Sequence, residues 1–440
     1  MGQRVLTERN VIDLRDPDVV AFDRVRKPLV WVALSVLVIN FVVLAGLQAW
    51  SDAFTFDEPV YAASGSTALR ERDLRINYQH PPLPKVIAAI PAELLADVEI
   101  PLETGAWDRA EEWTLATEMY AANQSDVQRI TFLYRIVPIL LAAVLGLAIY
   151  ALGRELFGWL AGLTSATLWL TLPVAVGFGH LNGLDIPAAL TVVVTCWLLA
   201  RYLRKPSGLA LAPVTVSVGM ALLSRAGVGV VVACAAVGVI VAWEFPRHTW
   251  RAVARGLSFA VGGWAIVWIG YLVLDPSGLD ISMMGEGTQQ LVASDSPSVA
   301  ARLALIVPWP DGYEAGIRYL AYLHGFGDSP GYLFGRSFQG APLWFWPASF
   351  ALKITTVAAV TIIAGLVAMA RMKWERVRRP VVILAPVTCG LAIMMATATR
   401  AYGIRYLIPI LVIALVVAGA AVTMVKLRTG IIALAVIGIV

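Results

Sequence analysis

The stretch Phe54-Thr55-Phe56-Asp57-Glu58-Pro59-Val60-Tyr61 places two adjacent carboxylates directly behind a long apolar run. A carboxylate there can accept a proton from a hydroxyl, although an acidic pair also suits an ordinary helix N-terminus. Further on, Tyr78-Gln79-His80-Pro81-Pro82-Leu83-Pro84-Lys85 sets a His and a Lys at the ends of a proline-stiffened turn, which by itself also reads as a rigid loop. In His180-Leu181-Asn182-Gly183-Leu184-Asp185-Ile186-Pro187, Pro187 suits a first helical turn and Asp185 its N-cap. Arg225, in Ser224-Arg225-Ala226-Gly227, separates two apolar runs shorter than a usual span. A charge at that depth is expensive without a partner or an anionic ligand. Arg135, Lys353 and Arg405 stand at the ends of other apolar runs, where each could also snorkel. Together these residues supply carboxylates for base work and cations for an anionic group. Transfer from a lipid phosphate needs that combination: one group to take the acceptor's proton, and fixed positive charge to stabilise the departing phosphate.

The elements that must position them are apolar helices. Of 440 residues, 59% are hydrophobic and only 15% charged, and mean hydropathy is +0.74. Soluble domains carry about 25% charged residues, so this mixture cannot clothe a water-exposed surface. Hydropathy predicts spans near residues 29–49, 132–152, 157–177, 186–203, 209–223, 227–243, 254–274, 345–370, 381–397 and 404–425. A further apolar run begins at Ile431 and suggests a longer protein cut short. The fold class is therefore an all-α polytopic membrane protein with about ten or eleven spans. Its first span follows a polar tail too long for a cleavable signal peptide and reads as a retained anchor.

Positive charge is retained in cytoplasmic loops. One alternating set of short loops holds Arg24, Arg26 and Lys27, then Arg154, then Arg201, Arg204 and Lys205, then Arg247, Arg251 and Arg255, then Arg371, Lys373, Arg376, Arg378 and Arg379, and finally Lys426 and Arg428. The N-terminus is thus expected in the cytoplasm of a cell (inner) membrane protein. The organisation becomes a tail over 1–28, a transmembrane module over 29–274 with an external loop at 50–131, a second external loop over 275–344, and C-terminal spans over 345–440. Both loops are rich in Trp, Tyr and Pro and are expected to fold as short helices on the outer surface. Under this topology Asp57, Glu58, His80, Lys85, Arg135, Asp185, Arg225 and Arg405 all fall at one membrane face. The net charge of +4 is accounted for by the loops, and nucleic acid is not an expected partner. Cys196, Cys234 and Cys389 lie inside apolar runs without ligand spacing, and four scattered histidines offer none either, so neither metal nor cofactor is expected.

The run from Phe56 to Tyr61, followed by His80 to Lys85, resembles the first-loop signature of the protein O-mannosyltransferases, GT-C enzymes related to the aminoarabinose transferases of lipid A. His180 to Pro187, Gly331 to Gly335 with Trp344 to Pro347 and Lys353, and Gly403 to Pro409 fit the same pattern. The resemblance implies an inverting transferase that takes a monosaccharide, mannose first, from a polyprenyl-phosphate carrier to a protein, lipid or glycan acceptor. It assigns Asp57 as the base, with Glu58 orienting the loop or acceptor. Arg135, Arg225, Arg405 and Lys85 fall to the donor phosphate, and His80, Tyr61, Asp185 and His180 to substrate. The roughly seventy residues after Asp275 are too few for the β-trefoil domain of the fungal and animal enzymes. The rival reading, a transporter or lipid-linked-sugar flippase, calls for binding groups near the bilayer midplane, whereas the charges here gather at one rim.

Overall fold

The structure, a computed structural model, describes residues 17–245, 249–293, 299–325 and 329–424. Most of the expected tail, the basic residues Arg247, Lys426 and Arg428 and the run from Ile431 lie outside them. The chain begins with α1 (Pro17–Ser51), then enters the first loop with α2 (Glu58–Glu71), α3 (Leu83–Leu95), α4 (Gly105–Asp108) and α5 (Glu112–Ala122). α6 (Val127–Phe157), α7 (Trp159–Thr171), α8 (Pro173–Gly179), α9 (Asp185–Tyr202), α10 (Gly208–Ser224), α11 (Ala226–Glu244) and α12 (Thr249–Leu274) follow. The second loop holds α13 (Glu286–Ala293), α14 (Val299–Ala304), α15 (Asp311–Gly325) and a hairpin of β1 (Pro330–Leu333) and β2 (Arg336–Gln339). The chain then runs through α16 (Phe345–Lys353), α17 (Thr356–Arg371), α18 (Trp374–Ala396) and α19 (Ile408–Gly419).

Each predicted span coincides with a helix or a helix pair, but not all are straight. Seven helices among the described residues are long and apolar enough to cross a membrane, and up to nine spans result if two bent pairs each count as one. α10 is apolar but shorter. The break between α7 and α8, bent by 61°, falls at Leu172, which is extended ahead of Pro173 because a residue before proline is pushed out of the helical region. The span expected over 345–370 is not one helix. α16 and α17 meet at 117°, with Ile354 extended and the Thr355 hydroxyl capping α17 by accepting from the Ala358 N–H.

α6 forms the spine, packing on α1, α3, α7 and α9, while α19 lies against α7, α9 and α17. Small residues permit the α6–α7 approach: a Cβ on Gly153 would stand 2.9 Å from the Gly162 Cα. Trp169 is fully buried there and donates from Nε1 to the Ala142 carbonyl at 2.9 Å. By contrast α1 turns Val32, Val36, Ile39 and Leu47 outward, the surface expected toward lipid.

In the first loop, α2 and α3 pack so closely that a Cβ on Gly65 would run into the Lys85 carbonyl. Asn77 and Gln79 both donate to Glu112 of α5, tying the proline turn to the rest of the loop. The second loop is not purely helical as expected. Phe334 and Gly335, both at positive φ, make the tight turn of an antiparallel hairpin between Pro330 and Gln339.

Candidate active site

Pro59 at the start of α2 sets the helix entry and leaves Asp57 and Glu58 on its first turn facing different ways. Glu58 is buried, and its carboxylate accepts from Arg135 Nε (2.9 Å) and Nη2 (2.7 Å), from the Thr55 N–H (2.7 Å) and from the Asn182 N–H (3.0 Å). Burial pushes this carboxyl up, but the Arg135 bonds, its charge and the two N–H groups outweigh that and hold it below the ordinary glutamate value. Arg135 is completely buried and spends its remaining N–H groups on the carbonyls of Ala49, Asp52 and Ala53. With every donor used, it has none to offer a donor phosphate. Its work is to fasten the end of α1, the start of α2 and the α8–α9 turn to α6.

Lys85 is corrected in the same way. It is 2% exposed, and its Nζ donates to the Asn77 carbonyl (2.7 Å), the Asn77 side chain (3.2 Å) and the His80 carbonyl (2.9 Å). Three donors meet three acceptors, so the ammonium closes the proline turn from inside. Burial pushes its pKa down to about 7. His180 is likewise beneath the loop: Nδ1 donates to the Val176 carbonyl at 2.9 Å, Nε2 lies 3.4 Å from Asp52, and the side chain does not border the cleft described next.

That cleft, about 730 Å³ including its mouth, lies between α2, the proline turn, the α8–α9 turn, the α10–α11 break and the segment leading into α19. Asp57, Tyr61, His80, Asp185, Arg225 and Arg405 all line it. The charges form a chain. Arg405 Nη2 donates to Asp57 Oδ2 at 2.7 Å, Arg405 Nε stands 3.6 Å from Asp185 Oδ2, and Arg225 donates to Asp185 Oδ1. Asp185 is therefore the first residue of α9 but not its cap, since its side chain bonds no helix N–H and is engaged by the two arginines. The Arg225 guanidinium lies 4.2 Å from the centre of the Tyr406 ring, and Arg405 is flanked by Tyr402 and Tyr406 at 5.7 Å. His80 packs edge-on to Tyr61 at 6.2 Å. Burial first, then Lys85, Arg225 and Arg405, push the imidazole down to about 3, which favours its neutral form.

Three lining residues with polar side chains were not singled out from the sequence as site residues. Thr55 and Tyr406 complete the walls, and Asn182 is 3% exposed with its Nδ2 unpartnered. The Asn182 backbone bond to Glu58 was invisible because it joins positions 124 apart. Its signal was only its place beside Asp185. Among the described residues no group of three or more His, Cys, Asp or Glu is arranged to hold a metal ion.

The sequence pattern of the dolichyl-phosphate-mannose-protein mannosyltransferases matches residues 128–269, the stretch from α6 to α12. No curated protein sequence matches the chain significantly. Among solved structures, the oligosaccharyltransferase of Archaeoglobus fulgidus in its apo form superposes with a TM-score of 0.56 at 14% identity, over 90% of this chain and 50% of the other. ArnT of Cupriavidus metallidurans in the apo state superposes at 0.52 and 14% identity, over 92% and 61%. The fold is that of the GT-C glycosyltransferases. The oligosaccharyltransferase AglB of Archaeoglobus fulgidus, in complex with an inhibitory peptide and a dolichol-phosphate, matches at 0.54 and 14% identity over 91% and 50%. The chain thus spans about half to three-fifths of the length of these GT-C proteins.

Proposed function

We propose that the protein is an inverting glycosyltransferase that moves a monosaccharide from a polyprenyl-phosphate carrier to an acceptor hydroxyl at the extracytoplasmic membrane face. One observation carries this reading: a carboxylate, Asp57, shares an accessible cleft with two guanidiniums, Arg225 and Arg405. In the reaction the acceptor oxygen attacks the anomeric carbon and its proton passes to Asp57. The bond from the anomeric carbon to the phosphate oxygen breaks, and the electron pair leaves on the polyprenyl phosphate. Arg405 ties down Oδ2 of Asp57, and among the described residues Oδ1 accepts no bond, so one oxygen remains for the hydroxyl. Arg225 and Arg405 offset the charge that grows on the leaving phosphate, and Tyr61, His80, Asp185 and Asn182 bound the space for sugar and acceptor.

The family pattern over 128–269 and the dolichol-phosphate held by the archaeal relative support a lipid-phosphate donor. Mannose is the first sugar to test, and the acceptor is a protein, a lipid or another glycan. A transporter would concentrate its ionisable groups at the bilayer midplane. The titratable groups of this cleft instead border turns and helix ends.

The deciding experiment supplies labelled mannose on a synthetic polyprenyl phosphate to membranes containing wild type or Asp57→Asn at matched levels. Transfer by the wild type should fall about 10²–10⁴-fold in the variant, the usual worth of a positioned general base. Unchanged transfer in Asp57→Asn would remove Asp57 from the role of base. Absence of transfer by the wild type would reject mannose as the sugar.

A further inference from the structure

At the opposite end of the bundle, α1, α6 and α9 part to leave a recess of about 1140 Å³, open mouth included. On α6, Arg154 follows Arg135 by 19 residues, about 28 Å at the helical rise, which puts this recess at the other membrane rim from Asp57. Its walls carry Arg154 and Tyr150 of α6, Arg201 and Trp197 of α9, and Trp31 of α1. The acid in the recess, Glu155, is already engaged: Arg204 Nε meets it at 2.8 Å and Arg379 of α18 also donates to it. Arg154 and Arg201 have no acidic partner among the described residues. Arg201 instead lies over the Trp197 ring at 5.2 Å.

Basic residues alone would follow from topology at this rim, as they do at Arg371, Lys373 and Arg376, which stand exposed where α17 ends and α18 begins. What differs here is a concavity between three membrane helices, with two guanidiniums that have no acidic partner among the described residues and indole and phenol rings in its walls. Tryptophan and tyrosine favour headgroup depth, guanidinium grips phosphate through paired N–H bonds, and basic pockets between spans suit anionic headgroups. Beside Trp31, which is 58% exposed, α1 turns Val32 and Val36 outward, giving acyl chains an apolar track.

We propose that this recess binds an anionic phospholipid of the bilayer. Arg154 and Arg201 hold its phosphate, Trp31 and Trp197 flank its glycerol region, and its chains run along α1. The site is separate from the catalytic cleft and does not depend on the activity assigned there.

The test follows thermal unfolding of the full chain in detergent while phosphatidylglycerol, phosphatidylcholine or inorganic phosphate is added. Wild type should be stabilised by phosphatidylglycerol alone. The Arg154→Gln/Arg201→Gln variant should need about tenfold more of that lipid for the same shift, whereas Arg371→Gln/Lys373→Gln, with the same change of charge on the same rim, should behave as wild type. Equal weakening in the two double variants would reduce the effect to diffuse surface charge and overturn the proposal. So would stabilisation by inorganic phosphate matching that by the lipid, which would mark a soluble-anion site, or by phosphatidylcholine to the same degree. If the double variant does not fold, Arg201→Gln, which breaks only the contact with Trp197, gives the same readout. Native mass spectrometry of the wild type must then show a retained phosphatidylglycerol, and its absence would equally overturn the site.

Discussion

At the scale of single residues, the charged groups at the cleft end of the bundle divide into those that line the cleft and those buried beneath it. Asp57, Asp185, Arg225 and Arg405 were marked by type and by their place at apolar-run ends, and they meet in one cleft. Glu58, Lys85 and Arg135 carried the same marks, yet they are sealed under the loop, the donors of Lys85 and Arg135 all used and Glu58 accepting from Arg135. Nothing in a residue's type says whether its partner is a ligand or a neighbour distant in the chain. The distinction has measurable consequences. Arg135→Gln leaves the Glu58 carboxylate buried beside too few donors, so the variant should lose about 3–5 kcal/mol of stability, seen as a lower unfolding temperature in detergent and poor yield. Asn182 is the opposite case, because its unpartnered Nδ2 beside the cleft makes it a donor waiting for an oxygen. Asn182→Ala should fold normally and lower kcat/KM for the lipid-linked donor about tenfold, the value of one hydrogen bond. An unchanged kcat/KM would remove it from the substrate's surroundings.

At the scale of elements, the apolar runs predicted where helices lie but not where they bend. Hydropathy averages over about nineteen residues, so the breaks at Leu172 and Ile354 are smoothed away even though Pro173 and the Thr355 cap mark them locally. The hairpin between α15 and α16 was missed for a related reason: strands of four residues show too few alternations to read. Elements also meet in ways that titrate. Asp275, just past α12, is buried, and burial first, then the charges of Asp73 and Asp311, push its carboxyl up to about 6, with Ser277 and Arg75 opposing. Because the folded value is raised, the folded protein holds this proton more tightly than the unfolded chain. The associated stability is complete below about pH 4 and is lost as pH rises through about 6. Asp275→Asn should therefore unfold at a higher temperature than wild type at pH 7.5 and at the same temperature near pH 4. An equal gain at both pH values would mean that the carboxyl is not the cause.

At the scale of the whole molecule, the alternation of basic and sparse loops predicted which ends of the helices share a side, and the cleft and the arginine-lined recess do lie at opposite ends of the bundle. Which end faces the cytoplasm is open to direct measurement. In a background with Cys234 and Cys389 replaced by Ser, Arg109→Cys in the first loop should react with a membrane-impermeant maleimide on intact cells. Leu209→Cys, 88% exposed at the start of α10, should react only after permeabilisation. The reverse pattern would invert the topology and place the cleft inside. The ion pair between Asp57 and Arg405 adds a temporal consequence, because it joins positions 348 apart in the chain. Insertion proceeds from the N-terminus, so Asp57 reaches the membrane surface long before its partner has been synthesised. Throughout that interval the early helices carry a carboxylate with nothing opposite it, and the cleft acquires its full set of charges only when the segment leading into α19 arrives. A chain that stops short of that segment carries the early helices but lacks the guanidinium that faces Asp57 in the finished fold.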